Sequence, residues 1–280
     1  MQLSVVVITF NEEANIGRTL ASVQPLVRDG GGEIIVVDCS SSDRTVEIAK
    51  SYGATIFVET WKGYAAQKNS ALEKACGDWI LSLDADEELD ADLQRALAEL
   101  LQSLKQLSDL ERPGETNAAQ SADGTAVLGA DFDGLYIPRK NEFLGRWIKH
   151  GGFWPDPKLR LFRRGKGNFE DRAVHEDVHV EGLTRTIQSG ALLHYSYPTI
   201  SDYIEHMNRY SSLGAEMVVA KGKVRFSFSN IVVRPALTFI YNYFFRLGFR
   251  DGREGLLLHL YHAVYVSWKY AKAWELSRKQ

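Results

Sequence analysis

The sequence predicts a doubly wound α/β sandwich, a mostly parallel sheet with helices on both faces, and two observations carry that reading. Four short apolar runs recur in the first 86 residues: Leu3 to Thr9 (LSVVVIT), Glu33 to Asp38 (EIIVVD), Ala54 to Glu59 (ATIFVE) and Trp79 to Asp86 (WILSLDAD). They are β-branched and continuous rather than alternating, the pattern of strands buried on both faces. Segments of helical spacing separate them, Glu12 to about Leu26, Asp43 to Tyr52 and Tyr64 to Cys76. Strand and helix in alternation give parallel strands with crossover helices. Ser42 or Asp43 suits the cap of the second helix, and Gly53 and Gly77 stop the second and third.

A further helix is predicted over Ala91 to Leu107. Ser108 to Gly134, rich in Ala, Gly, Ser, Thr and Asp and without periodicity, reads as an exposed, mobile insert. From Leu135 strand-like pieces return, IPRKNEFLG at 137–145 and KLRLFRR at 158–164; the second alternates basic and apolar residues, so one face can be positive. After Pro198 the chain becomes helical and aromatic. The expected division is therefore 1–107, a first α/β half; 108–134, the insert; 135–198, a strand-bearing half; and 199–280, a basic aromatic helical tail.

With 45% hydrophobic and 25% charged residues, the 280-residue chain is neither disordered nor fibrous. The net charge of −3 conceals a split: residues 221–280 hold 11 Lys/Arg against Asp251, Glu254 and Glu275. Such asymmetry suits an anionic partner. Two cysteines, Cys39 and Cys76, exclude a disulfide scaffold and fit a reducing compartment. No run is long and apolar enough to span a membrane. Leu257, Tyr261, Val264 and Trp268 line one helical face, and with flanking Lys/Arg they suit a helix lying in the headgroup plane; a helix packed on the domain is the plain alternative. The expected location is cytoplasmic, peripherally associated with the inner membrane.

In open α/β sheets ligands bind beyond the carboxyl ends of the strands. The residues there are Thr9, Asn11 and Glu12 after the first strand, Asp38 after the second, and Asp84 and Asp86 after the fourth. Neither GxGxxG nor GxxxxGK[ST] is present, which removes support for dinucleotide and P-loop nucleotide binding. A DxD triplet arises about once by chance in this length, and Asp90-Ala91-Asp92 and Asp131-Phe132-Asp133 are further copies. Asp84-Ala85-Asp86 differs in context, because it closes a buried strand, where two carboxylates need a cation or solvent. On an extended chain residues i and i+2 project to one side, so both can face one hard cation, Mg²⁺ or Mn²⁺ bridging a diphosphate. An EF-hand is excluded by Leu89 and Arg95 at its sixth and twelfth positions.

The ordered set VVVITFNEE, IIVVDCSSSDRT, KGYAAQKN and LSLDADE resembles the nucleotide-sugar domain of GT-A-fold family 2 glycosyltransferases. RWIKHGGFWPDPKLRLF, RAVHEDVHVEG, LLHYSYP and RLGFRDGREG resemble one subgroup, the lipopolysaccharide-core β-1,4-glucosyltransferases that add a sugar to an inner-core heptose. The resemblance covers nearly the whole chain except Ser108 to Gly134. It implies a GT-A (Rossmann-like) fold with a C-terminal helical, membrane-facing extension.

It also implies roles. Thr9, Asn11 and Glu12 line the nucleoside pocket, Asp38 accepts a hydrogen bond from the base, and Ser40 to Ser42 border it. Lys68, with Gln67 and Asn69 beside it, faces ribose or diphosphate, with a solvated surface lysine as the alternative. Asp84 reaches the ribose and Asp86 the metal, with His194 as a possible further ligand or a satisfied core histidine. RAVHEDVHVEG supplies the base: neighbours on a strand face opposite sides, so only one of Glu176 and Asp177 faces the site, and the resemblance, which aligns the carboxylate after the His with the base, favours Glu176. Arg160, Arg163 and Arg164 suit phosphate recognition or plain solvated charge.

The implied activity is inverting transfer of a sugar, glucose by resemblance, from a UDP-sugar to a saccharide acceptor on a lipid-anchored glycan. Transfer to a polyprenyl phosphate is the rival within the enzyme class. A non-catalytic nucleotide-sugar or membrane-binding protein is the rival outside it, opposed by the presence of both Asp86 and Glu176. Nucleic acid is not expected as a partner, because the tail aromatics follow helical spacing rather than a stacking platform.

Overall fold

The computed structural model describes residues 2–110, 132–170, 178–222 and 224–279. In chain order the first elements are β1 (Leu3–Thr9), α1 (Ile16–Val27), β2 (Gly32–Asp38), α2 (Thr45–Ser51), β3 (Thr55–Val58), α3 (Tyr64–Lys74), β4 (Trp79–Asp84), β5 (Glu87–Leu89) and α4 (Ala91–Leu110). Eight further strands follow: β6 (Gly134–Ile137), β7 (Arg139–Phe143), β8 (Arg146–Ile148), β9 (Lys158–Arg163), β10 (Gly167–Phe169), β11 (Val178–Val180), β12 (Thr184–Thr186) and β13 (Leu192–Tyr197). The last elements are α5 (Ile200–Ala220), α6 (Arg234–Ile240) and α7 (Gly252–Lys279).

The chain folds as two compact units that interleave along the sequence. One draws on the described parts of Met1–Pro138, Pro157–Asp171 and Asp177–Leu193, the other on those of Arg139–Asp156 and His194–Gln280. The helix expected to end near Leu107 runs on to Leu110, and residues 111–131, the greater part of the expected insert, lie outside the described residues.

The first unit is built on a seven-stranded sheet of order β12-β6-β9-β4-β1-β2-β3. β4, β1, β2 and β3 run parallel, as the continuous apolar runs require, while β9 is antiparallel to both its neighbours, β4 and β6. Burial on both faces follows from the period-two alternation of side chains. Leu3, Val5 and Val7 of β1 point into a core shared with Ile16, Leu20 and Val23 of α1 and Leu93, Leu97 and Leu100 of α4. Val6 points to the opposite core, with Ile35, Val37, Ala65 and Ala71 of α3, and Phe169. The sandwich is thus the predicted mostly parallel sheet between helical layers.

In the second unit β7 and β8 form an antiparallel hairpin. Phe143, Ile148, Tyr203 and Leu258 form its core, against which Leu257 and Tyr261 pack. The long helices α5 and α7 lie against each other. Thr199 opens α5 with a capping box, its hydroxyl accepting from the Asp202 amide at 3.1 Å while the Asp202 carboxylate accepts from the Thr199 amide at 3.1 Å. All four residues of the α7 face expected to lie on lipid are half-buried, because that face closes its own unit. Among the described residues no helix is long and apolar enough to cross a membrane.

Leu20 is fully buried between α1 and the sheet. Leu20→Ala is expected to lower the unfolding free energy by about 3 kcal/mol, read from the midpoint of urea denaturation.

Candidate functional site

The carboxyl edge of the sheet gathers the predicted residues by register. Thr9 of β1 pairs with Asp38 of β2, and Ile8 with Asp84 of β4, so Thr9, Asp38 and Asp84 end three adjacent parallel strands at one level. Asp38 is buried, and its carboxylate accepts from the Thr9 hydroxyl at 2.8 Å, the Ser41 amide at 2.8 Å and the Ser41 hydroxyl at 2.5 Å. These three donors repay the desolvation of the charge and fix the turn after β2. Ser40 stands in that turn at a φ of 64°, and Asn11 after β1 at 55°, two left-handed residues without glycine. Such backbone costs of order 1 kcal/mol or more per residue and persists where surrounding bonds hold it.

Those bonds tie the loop after β1 to the loop after β2. The Asn11 amide donates to Ser41 Oγ at 2.8 Å, the Ser42 amide to Asn11 Oδ1 at 2.9 Å and the Glu12 amide to Thr45 Oγ1 at 2.7 Å. Glu13 and Asp43 add a fourth link at 3.1 Å. Asn11, Glu12 and Ser40 to Ser42 therefore stand together as one braced wall. Neither Ser42 nor Asp43 caps α2, whose N-cap is Arg44; Asp43 instead accepts from the Thr45 amide and hydroxyl in the turn before the helix.

The acidic triplet departs from the extended geometry assumed for it. Asp84 closes β4, but Ala85 and Asp86 form a tight turn into β5, so the i, i+2 argument does not apply. Helix α1 holds that turn: Thr19 donates to the Ala85 carbonyl at 2.6 Å and Ser22 accepts from the Leu89 amide at 3.1 Å. The other two triplets have ordinary explanations where they are described. Asp90 accepts from the Leu93 amide at the start of α4, Asp92 pairs with Arg95 on its surface, and Asp133 accepts from the Leu183 amide at 3.2 Å.

Asp84 is neutralised from two sides. Lys68 Nζ of α3 reaches Oδ1 at 2.7 Å, and Arg160 Nη2 of β9 donates to Oδ2. The same guanidinium nitrogen donates to Glu87 Oε1 at 2.6 Å, and Glu87 is fully buried. Burial opposes the charged guanidinium, but the fields of Asp84 and Glu87 outweigh it and hold Arg160 protonated more firmly than a free arginine. The expected phosphate role of Arg160 is thereby corrected: its charge is committed inside the sheet. Arg163 is likewise engaged with the Phe132 carbonyl, Asp133 and the Trp79 ring, and Arg164 with the Gly77 carbonyl.

Lys68 is thus no solvated surface lysine, and its neighbours anchor α3. Gln67 is fully buried and donates to Glu59 at 3.4 Å, and Asn69 exchanges two hydrogen bonds with the Phe169 backbone, both at 2.9 Å. Lys74, then Lys62 and Ser70, draw the Glu59 carboxyl down to about 2, so it stays ionised and pins the helix that presents Lys68.

Glu12 carries the opposite signature. Burial pushes its carboxyl up, the hydrogen bond from Asn15 pulls it down, and the negative fields of Asp86, Asp43 and Asp84 raise it further. Glu12 therefore lies within the negative fields of Asp86, Asp43 and Asp84. Among the described residues no group of three or more His, Cys, Asp or Glu is arranged to hold a metal ion. A donor set of one or two carboxylates suits an ion that completes its shell with water and substrate phosphate, and no all-protein cage.

His194 belongs to the second unit. Its Nδ1 lies 2.7 Å from Asn141 Oδ1 and 2.6 Å from Ser196 Oγ. Asn141 is itself held by Asp156 at 3.2 Å, and Asp156 pairs with Arg139 at 2.7 Å. Glu176 and Asp177 fall within residues 171–177, outside the described residues. Sequence reasoning missed Thr45, which braces Glu12, and Glu87, whose signal was its place directly after the acidic triplet.

A family model described as glycosyl transferase family 2 matches residues 4–151. The chain is 31% identical over 281 residues to the lipopolysaccharide core biosynthesis glycosyltransferase LpsC of Rhizobium meliloti (strain 1021), covering 98% of this chain and 93% of that protein. It is also 31% identical to an uncharacterized glycosyltransferase of Rickettsia typhi (strain ATCC VR-144 / Wilmington), over 99% of this chain and 88% of the relative. Among solved structures, S. aureus TarS 1-349 in complex with UDP-GlcNAc aligns with a TM-score of 0.49 at 15% identity, covering 100% of this chain and 92% of that one.

Two outcomes follow from the charges. Arg160→Met leaves Glu87 buried without its cation and is expected to cost about 3–5 kcal/mol, partly restored by adding Glu87→Gln; chemical denaturation of the two variants reads it. Glu12, raised above the ordinary 4.5, stabilises the fold below that pH and loses this contribution as pH rises through its folded value. Glu12→Gln is therefore expected to melt above wild type at neutral pH, with the gap closing as pH falls below 4.5 in a melting-temperature series.

Proposed function

The chain belongs to glycosyl transferase family 2, and from that premise we propose that it is an inverting, divalent-metal-dependent glycosyltransferase using a UDP-sugar donor. The observation that carries the donor site is the shared level of Thr9, Asp38 and Asp84 at the carboxyl edge of the sheet, beside the braced Asn11–Ser42 wall. Asp38, with Thr9, is the acceptor set for the base, and Asn11, Glu12 and Ser40 border the nucleoside. Asp84 meets the ribose, and Lys68, held within reach of Asp84, lies toward ribose or diphosphate. Gln67 and Asn69 act by holding the helix that presents it.

Asp86, with Glu12 close enough to feel its field, would hold Mn²⁺ or Mg²⁺, and His194 is kept as a further ligand on the sequence reading alone. Bound there, the ion supplies positive charge to the departing diphosphate. Glu176 takes the proton of the acceptor hydroxyl as it attacks the anomeric carbon from the face opposite the leaving group, with Asp177 the alternative base. The name of the Rhizobium relative supports a saccharide acceptor on the lipopolysaccharide core, with glucose as the donated sugar by resemblance. Such an acceptor is lipid-anchored, so the enzyme works peripherally at the cytoplasmic face of the inner membrane.

Calorimetric titration with UDP, with and without Mn²⁺, tests the donor site. Wild type is expected to bind with metal, and Asp86→Ala to lose the metal-dependent part; UDP binding unchanged by metal or by the substitution would overturn the assignment. Glu176→Gln is expected to keep donor binding and lose about 10²–10⁴-fold in transfer rate, measured by sugar incorporation into deacylated core acceptor.

A further inference from the structure

Between Glu216 and Asp251 the chain contains no acidic residue and six Lys/Arg. Asp251 adds no surface charge, because it is buried and accepts from the Lys149 and His150 amides. The same stretch carries the densest exposed apolar surface of the second unit. A π-helical turn at Ser229–Val233 leads into α6, and a second, Tyr241–Phe245, follows it. Val233, Leu237, Tyr241 and Phe245 form a row at four-residue steps, with Ile240 and Phe244 beside it; all are exposed, Phe245 to 75%.

The π turns account for the straight row. In an α-helix of 3.6 residues per turn, a four-residue repeat drifts around the axis. Turns closed from i to i+5 are wider, so placing one at each end of α6 keeps the repeat on one side. The opposite side is anchored: Pro235 is buried, and Ser267 of α7 donates to the Ile231 carbonyl at 2.8 Å. A groove of about 490 Å³ sets Asn230, Arg234 and Thr238 beside Leu237 and Tyr241, polar donors next to apolar rings.

We infer that the ridge from Phe226 to Phe249, rather than the face of α7, is the surface that inserts into an anionic lipid bilayer. Phe244, Phe245 and Leu237 enter the acyl boundary, and arginines such as Arg225 and Arg250 stay at the phosphate level. This rests on the peripheral-membrane reading above and assigns it a face. A second copy is a poorer occupant, because a two-fold interface would set a surface without acids against its own cations. Nucleic acid is also poorer, because the rings stand on the outside of a convex helix and line no strand-tracking groove.

Co-sedimentation of the full chain with phosphatidylcholine vesicles, with and without phosphatidylglycerol, tests the assignment. Wild type is expected to pellet with the anionic vesicles alone and to be released as salt rises. Phe244→Ser with Phe245→Ser is expected to weaken partitioning at least about tenfold. Arg225→Ala with Arg250→Ala is expected to weaken it about 25-fold, roughly fivefold per charge. Unchanged melting curves certify that both double variants fold, and the arginine pair stands alone if the phenylalanine pair does not. Equal binding to neutral vesicles, variants that pellet like wild type, displacement by an oligonucleotide in preference to lipid, or self-association in ultracentrifugation that the phenylalanine variant abolishes would each overturn it. UDP titration on the same samples separates the failures: donor binding without vesicle binding removes only this inference, and the reverse removes only the donor assignment.

Discussion

A buried guanidinium between two carboxylates is the constraint on which the carboxyl edge of the sheet depends. Arg160 reaches out of β9 to Asp84 at the end of β4 and to Glu87 at the start of β5. Without it, Glu87 and Asp84 would each lose the guanidinium that answers their charge. Coulomb attraction at low effective dielectric holds this arrangement, and burial makes it costly to undo. The guanidinium therefore fixes where Asp84 stands at the edge of the sheet.

Several layers brace that edge without touching it. Glu59 pins α3, Thr19 and Ser22 of α1 hold the turn that carries Asp86, and Thr45 ties down Glu12. Each is an ordinary side chain whose hydrogen bonds remove freedom from a neighbour that bears charge. A constellation held this way loses little entropy when a ligand arrives. The two left-handed residues, Asn11 and Ser40, sit where these braces are densest, as strained backbone requires.

The sandwich was legible in the sequence because continuous β-branched runs and intervening helical periods report burial directly, and Leu3 to Thr9 and Trp79 to Asp84 are where that pattern put them. The strand ends were legible for the same reason, since the end of a run is also the edge of the sheet. The side-chain pairing was not. KLRLFRR reads as a strand with a positive face, and nothing local says that Arg160 turns inward to meet partners 76 and 73 residues earlier. Leu257 and Tyr261 pack partly on the core of their unit, and amphipathic spacing marks such an apolar face without saying whether protein, lipid or solvent meets it. In the segment Ser229–Phe245 nothing in the apolar spacing announces the two π turns.

The interleaved course of the chain bears on how it is made. β9 lies between β4 and β6 in the sheet, yet it is translated after both, and the segment 139–156 that precedes it belongs to the other unit. A nascent chain that has emerged only through β5 holds Glu87 with no guanidinium to meet it. The first half of the sheet must therefore wait, incompletely neutralised and with β4 as an open edge, until residue 160 leaves the ribosome. Non-local closure of this kind is slow, and it exposes strand edges while it lasts. Truncations that stop before β9 should accordingly be chaperone clients and aggregate, however complete the motif-bearing portion looks on paper.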